Sequence, residues 1–172
     1  PLVGFTKKHE KLRVVSMPGV TAEMQETGLS ADYAKVAKIC SKLSPLFNEA
    51  VGIEVAFSTG HSCYFDLSNN NKVLEDNGML HPDGEGDRIR NLPSGEVCVV
   101  PNENPGSLTA GEIPANLKGE EVVFVIEENK IIDVLGDGLQ AAGLRAKFAI
   151  DRAMSNIGEV AIGCNDRAKV TG

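Results

Sequence analysis

The sequence predicts an α+β domain with a mixed, largely antiparallel sheet and two main helices. Two segments have apolar residues at helical spacing, and several short apolar runs alternate with polar residues and end at turn signals. The order of these elements favours antiparallel pairing, because two pairs of runs are joined by connections short enough for hairpins. The length of 172 residues fits one domain, so residues 1–172 are predicted to form a single domain.

The first helix is the best-marked element of the N-terminal part. Residues 12–17 precede it as a short apolar run that predicts a strand. Ser30 is the predicted N-cap of a helix that reaches about Ala50 and contains Pro45 near its end. One apolar stripe at helical spacing is expected to lie against a sheet: Tyr33, Val36, Cys40, Leu43, Phe47 and Ala50.

The rest of the chain is rich in strands and contains one further helix. Alternating runs at 53–57 and 63–67 predict a hairpin, and the polar stretch 68–90 predicts a long loop of a functional or mobile kind. Asp137 is the predicted cap of a second helix that ends near Met154. The remaining predicted β elements are 96–100, 107–113, a hairpin of 121–126 with 130–135 around Glu128-Asn129, and 159–164.

Net charge and the distribution of apolar residues argue against two classes of partner, nucleic acids and membranes. The formal net charge of -7 leaves no basic face for phosphate neutralisation, so no nucleic acid is expected. There is no signal peptide and no apolar run of bilayer length, so we expect no membrane partner and a cytoplasmic location. The cysteines stand singly, which is typical of buried thiols in a reducing compartment: Cys40, Cys63, Cys98 and Cys164.

Residues 136–141 match the Gly-x-Gly-x-x-Gly/Ala pattern that binds dinucleotides at the start of a helix. The preceding strand, however, is predicted to be the return arm of a tight hairpin, which differs from the first strand of a βαβ unit. Asp137 would also place a negative charge where a pyrophosphate must sit. We therefore interpret the segment as a helix-capping turn.

The three histidines do not form a recognisable catalytic set. His81 precedes a Pro-Asp-Gly turn signature and is predicted to lie at the surface. His61 lies in the turn of the first hairpin, where a cleft-facing role is the less favoured alternative. His9 lies in a basic stretch that is interpreted as a solvated end of the chain.

Two glutamates stand out because each begins an apolar strand directly after a glycine. The glycines at both places, Gly95 at the first and Gly158 and Gly163 at the second, are expected to let another group approach the backbone closely. Glu96 ends the segment Asn-Leu-Pro-Ser-Gly-Glu, and Glu159 follows Gly158 and precedes Val-Ala-Ile-Gly. Such a carboxylate must be solvated, paired or bound to a cation, since burying it alone costs several kcal/mol. A single strand-edge Glu usually faces solvent, but two in this context predict half of a metal site. Carboxylates of a two-metal site are expected within about 6 Å of each other.

These two motifs resemble segments of the aminopeptidase T / aminopeptidase S family of metallo-aminopeptidases, also labelled thermophilic metalloproteases or leucyl aminopeptidases. Residues 91–97 match an Asn-Leu-Pro-x-Gly/Glu-Glu-Val segment, and residues 158–165 match Gly-Glu-Val/Leu-Ala-Ile-Gly-x-Asn. Residues 15–24 are similar to a third segment of the family, so the resemblance extends over most of the chain.

The resemblance implies that Glu96 and Glu159 are two of five ligands of a pair of divalent metal ions, which are zinc, cobalt or manganese. It implies a peptide substrate, a homodimer, and a larger metallopeptidase domain of which this chain is a part. In that family two His and one Asp further along complete the site. No His-x-Asp follows Glu159 here, so we expect a fragment of the metal-binding domain that is inactive alone. The missing ligands would come from beyond Gly172 or from a histidine of this chain.

Two alternatives stay open. The same superfamily includes ring-cleaving non-haem iron dioxygenases, and the resemblance implies that these lack an acid at the position of Glu96. The other alternative is a non-catalytic binding or oligomerisation module. Whether the chain belongs to an enzyme therefore depends on the metal content and activity of the full-length protein.

Overall fold

A computed structural model describes residues 8–9, 11–69, 71–80 and 88–169 of the chain. In this described part the strands are β1 (Val14–Ser16), β2 (Gly52–Ala56), β3 (Ser62–Asp66), β4 (Leu74–Asp76), β5 (Ile89–Asn91), β6 (Glu96–Val99), β7 (Ala110–Leu117), β8 (Glu120–Glu127), β9 (Lys130–Leu135) and β10 (Val160–Gly163). The long helices are α1 (Tyr33–Glu49) and α2 (Leu139–Ile150). Five of the six strand pairs with a defined register are antiparallel, so the α+β class with a largely antiparallel sheet is confirmed.

The chain divides into two compact units. The first lies within residues 1–47, 74–98 and 161–171, and the second within 48–73 and 99–160. The expectation of one domain over 1–172 stays a prediction.

The first unit contains helix α1 and two small sheets. β1 pairs in parallel with β5, and the other sheet has the order β10-β6-β4. The predicted stripe of α1 is confirmed at Val36, Cys40 and Phe47, which are all buried. The Cys40 thiol donates to the carbonyl oxygen of Glu96 at 3.7 Å, so this stripe packs on β6.

The start of α1 and the polar stretch after the first hairpin both differ from prediction. The helix is capped by Asp32, whose Oδ1 accepts from the amides of Ala34 and Lys35 at 3.0 and 3.2 Å, so the prediction of Ser30 is wrong. The stretch 68–90, predicted as a loop, contains β4 and the start of β5. These strands are three residues long, and their stability comes from pairing with β6 and β1.

The second unit is a five-stranded antiparallel sheet with helix α2 against one face. Its order is β2-β3-β7-β8-β9, and the two predicted hairpins, β2 with β3 and β8 with β9, are confirmed. Glu128 and Asn129 form the second turn with φ of 46° and 64°, the left-handed pair that a two-residue hairpin requires. Val122, Val134 and Ala141 are buried where the sheet meets α2. The predicted 107–113 element is shifted, since the strand runs over 110–117.

Helix α2 also differs at both ends from its predicted limits. It begins at Leu139 after the N-cap Gly138, and Asp137 makes no capping bond. It ends at Ile150, after which Asp151 caps a separate 3-10 turn over Arg152–Ser155. Within the described residues, neither helix has the length and apolar character that crossing a bilayer requires.

Candidate metal centre

Glu96 begins β6, and the glycine before it fixes where its carboxylate can lie. Gly95 has φ of +128°, a conformation that side chains rarely adopt. A Cβ at this position would lie 2.8 Å from Cβ of Asn165 and 2.9 Å from Cγ1 of Val36. The predicted close approach is therefore real, and the approaching groups are helix α1 and the segment after β10.

Asn165 holds the residues in front of Glu96. Its Nδ2 donates to the carbonyl oxygens of Gly28 and Ser94, both at 2.9 Å. The hydroxyl of Tyr33 accepts from the Ser94 amide at 3.2 Å and donates to the Gly28 oxygen at 3.1 Å. The Gly95 carbonyl accepts from the amide of Cys164 at 2.7 Å. The backbone at Ser94 and Gly95 is thus fixed from two sides, which limits the positions that the Glu96 side chain can adopt.

The neighbouring strand adds a second acid to this edge. Asp76 of β4 is directly opposite Glu96, and like charges in such a cross-strand pair repel. The guanidinium of Arg90 lies 3.9 Å from Oδ1 of Asp76, with the Arg90 side chain only 12% exposed. One positive charge therefore offsets part of the acidic charge, and a bound cation would offset more.

Glu159 directly precedes β10 and is exposed. Two residues earlier, Ile157 is held by the fully buried Asn129. The Ile157 amide donates to the Asn129 carbonyl oxygen at 3.0 Å, and Nδ2 of Asn129 donates to the Ile157 carbonyl oxygen at 2.9 Å. The glycines around β10 do not have the predicted role, because no described atom would lie within 4 Å of a Cβ at Gly158 or Gly163. Open space surrounds them, whereas Gly95 is tightly packed.

The two acids and one thiol form a group of ligand atoms on the sheet β10-β6-β4. One carboxylate oxygen each of Glu96 and Glu159 and the Sγ of Cys98 all lie within 4.8 Å of one another. This meets the predicted limit of about 6 Å for the carboxylates. That the two acids bind metal stays a prediction.

The donor set fits a divalent ion. In a tetrahedral zinc site with bonds of about 2.0–2.3 Å, ligand atoms lie about 3.5 Å apart. Contraction of the group by roughly 1 Å would therefore bring its three ligand atoms to bonding distance of one ion and leave a fourth position open. Sequence reasoning missed Cys98, because a cysteine within an apolar strand is usually a core residue. The available signal was its spacing of two from Glu96, which places both side chains on one face of a strand.

Cys40 and Cys63 are core residues whose surroundings favour the protonated thiol. Burial raises the pKa of Cys40 to about 12, with a hydrogen bond to Cys164 adding to the effect, and burial raises the pKa of Cys63 to about 11. All four cysteines are buried thiols, as predicted.

The glycine-rich segment before α2 is a capping turn, as predicted, but the capping residue is Glu120. Its carboxylate accepts from the amides of Ala141 at 3.0 Å and Gln140 at 2.9 Å, and these bonds lower the pKa of Glu120. A Cβ at Gly138 would lie 2.2 Å from the Glu120 carboxyl carbon. The helix N-terminus therefore already holds an anion of the protein where a pyrophosphate would bind.

The histidines add no ligand to the group in the described residues. His61 bonds through Nδ1 with the Thr59 hydroxyl at 2.9 Å and has Nε2 3.7 Å from Oε2 of Glu112. His9 is exposed, and His81 lies outside the described residues. The expectation that the missing ligands come from elsewhere in a longer protein stays a prediction.

Two solved structures share this fold. A 2,5-dihydroxypyridine dioxygenase from Pseudomonas putida KT2440 matches with a TM-score of 0.64 and 19% identity, over 90% of this chain and 46% of its own. Wild-type AmpT from Thermus thermophilus matches with a TM-score of 0.52 and 16% identity, over 81% of this chain and 35% of its own. The chain thus spans less than half of either structure, and identities this low establish the fold alone. No protein-family model and no curated protein matches the sequence.

Proposed function

We propose that the protein containing this chain is a metal-dependent aminopeptidase and that Glu96 and Glu159 are two of its metal ligands. The observation that carries the proposal is the convergence of these acids, 159 − 96 = 63 positions apart, into one group of ligand atoms within 4.8 Å. The fold shared with the metallo-aminopeptidase AmpT supports it. A peptide substrate and a homodimer, expected from the family resemblance, belong to the same proposal.

Residues of this chain fix the backbone in front of the two proposed metal ligands. Gly95 and Asn165 fix the backbone in front of Glu96, and Asn129 fixes Ile157 in front of Glu159. A bound pair of divalent ions would supply Lewis-acid binding of the substrate's free α-amino group and a water of lowered pKa. Since two carboxylates and a thiol do not provide the imidazoles of such centres, the 172-residue chain alone is expected to be inactive.

Substitution of the two acids in the full-length protein tests the proposal. We expect Glu96→Gln and Glu159→Gln to lose bound metal and to lower turnover of leucine p-nitroanilide by at least about 100-fold, because each removes a negative ligand without changing side-chain volume. Glu121→Gln, at an exposed acid of β8, is the matched control and should keep both properties. Metal content is measured by mass spectrometry and the fold by circular dichroism. Normal metal content and turnover in both ligand variants would end the proposal.

A second candidate, a ring-cleaving iron dioxygenase, is favoured by one observation. The dioxygenase matches with the higher TM-score, 0.64 against 0.52, and over more of this chain. Glu96 favours the peptidase, since the resemblance implies that the ring-cleaving members lack this acid. Loading the full-length protein with Fe²⁺ and following consumption of 2,5-dihydroxypyridine under air separates the two reactions. A protein that retains no metal and catalyses neither reaction would be the non-catalytic module.

A further inference from the structure

Strand β6 places a thiol beside the carboxylate of Glu96. Side chains two positions apart on a strand point to the same face, so Glu96 and Cys98 share one face and Val97 lies on the other. Cys98 is buried, with only 4% of its surface exposed. Its Sγ lies within 4.8 Å of the ligand oxygens of both Glu96 and Glu159.

We propose that Cys98 is a third protein ligand of the centre and that the centre therefore selects a thiophilic divalent ion, zinc or cobalt, over manganese or magnesium. This rests on the proposed function and extends it to the identity of the metal. Thiolate is a soft ligand that favours zinc-class ions, whereas carboxylates alone suit magnesium, calcium and manganese. Binding replaces the S–H bond by a sulfur–metal bond and releases the thiol proton to solvent, without any change of oxidation state.

The other cysteines provide an internal comparison. Cys63 is buried in strand β3 of the second unit, with 1% exposure, and belongs to no described group of three ligand residues. Substituting it removes a buried thiol of the same size and leaves the donor set intact. It is the matched control for Cys98.

The test is cobalt(II) absorption of the full-length protein. With a thiolate ligand, bound Co²⁺ is expected to show a sulfur-to-cobalt charge-transfer band in the near ultraviolet. The band should vanish in Cys98→Ser and persist in Cys63→Ser. In competition titrations, the preference of Cys98→Ser for zinc over manganese should fall by at least about tenfold relative to the unsubstituted protein.

The outcomes separate the two proposals. Cobalt that binds without the band, and needs Glu96 and Glu159 to do so, would overturn the role of Cys98 and leave the metal centre standing. A folded protein that binds neither cobalt nor zinc would overturn both. A sulfur-ligated metal in a protein without peptidase activity would support Cys98 as ligand and overturn the proposed reaction.

A second measurement needs no substitution and so does not depend on the folding of Cys98→Ser. X-ray absorption of the zinc-loaded protein should show one sulfur at about 2.3 Å beside nitrogen or oxygen at about 2.0–2.2 Å. A shell of nitrogen and oxygen alone would overturn the assignment of Cys98.

Discussion

Replacing Asn165 by alanine tests whether the backbone in front of Glu96 must be held for metal to bind. The substitution removes the two bonds from Nδ2 to the carbonyl oxygens of Gly28 and Ser94. It also removes an exposed bond of 3.0 Å that Oδ1 accepts from the backbone amide two residues later, which contributes less because water can replace it. Each Nδ2 bond is expected to contribute about 1 kcal/mol net to the free energy of unfolding. A buried carbonyl oxygen that loses its donor costs more than one that keeps a second donor. The Gly28 oxygen keeps the Tyr33 hydroxyl at 3.1 Å, so most of the penalty falls at Ser94. We therefore expect a loss of about 2 kcal/mol in the free energy of unfolding.

The control is Asn71→Ala, which removes the same kind of interaction elsewhere. Nδ2 of Asn71 donates to the carbonyl oxygens of Val100 at 2.9 Å and Pro101 at 3.5 Å, in the second unit. Urea denaturation should show a similar loss of stability for both variants. Isothermal titration with Zn²⁺ should show weaker binding by about 10- to 100-fold for Asn165→Ala alone, the range found when a group that orients a ligand is removed.

Two results would refute this reasoning. If Asn165→Ala loses stability but binds zinc as the unsubstituted protein does, Asn165 serves the fold and does not position Glu96. If it loses no stability, the two bonds to carbonyl oxygens do not have the assigned strength. Asn165→Asp sharpens the second point, because it keeps the shape but turns an acceptor toward two carbonyl oxygens. It should be less stable than Asn165→Ala at pH 7.

Two further predictions concern stability in the second unit. Burial favours the protonated form of Asp66, but hydrogen bonds from Ser68, Leu108 and Asn102 outweigh it and hold the pKa of Asp66 at about 2. This pKa lies below the unfolded value of about 3.9, so the ionised Asp66 should add about 2 kcal/mol to the free energy of unfolding above pH 4. That contribution is lost as the pH falls from 4 to 2. Urea denaturation of Asp66→Asn at a series of pH values should lack this dependence. Gly138→Ala should lower the Tm because its Cβ would displace the Glu120 carboxylate from the amides that it caps at the start of α2. A similar loss in a Glu120→Ala background would contradict that explanation.

The sequence predicted those elements whose signals are local. The turn at Glu128-Asn129 could be located because two alternating apolar runs are separated by a connection short enough for a hairpin, and both residues have positive φ in the structure. The stripe of α1 followed from helical spacing alone. The predicted capping residue was wrong at both helices. At α2 the reason is distance along the chain, because the capping residue Glu120 is 20 positions from Gln140, whose amide donates to it. Strands β4 and β5 were missed because three polar or mixed residues have no periodicity to detect.

The candidate site was predictable only in part, for the same reason. Glu96 and Glu159 could be found because each is an acid at the start of an apolar strand, next to a glycine. The spacing of two from Glu96 in a predicted strand already placed Cys98 on the same face, but only the distances to both acids separate it from a core cysteine. Asn165 belongs to the second motif, yet its bonds are made to Gly28 and Ser94, which are remote in sequence. The sequence contains the residues of the site, and only the fold shows which of them position others.

The two acids are held unequally, and this bears on how a metal would bind. Glu96 is half-buried behind the tightly packed Gly95, and the neighbouring Cys98 is buried, so this edge of the sheet is fixed before any ion arrives. Glu159 is exposed, and a Cβ added at Gly158 beside it would meet no described atom within 4 Å. A contraction of roughly 1 Å to bonding distance would therefore come mainly from Glu159. Gly158 then allows the backbone in front of Glu159 to move, whereas Gly95 allows α1 and the segment after β10 to pack closely in front of Glu96. The same residue type therefore has opposite effects at the two acids.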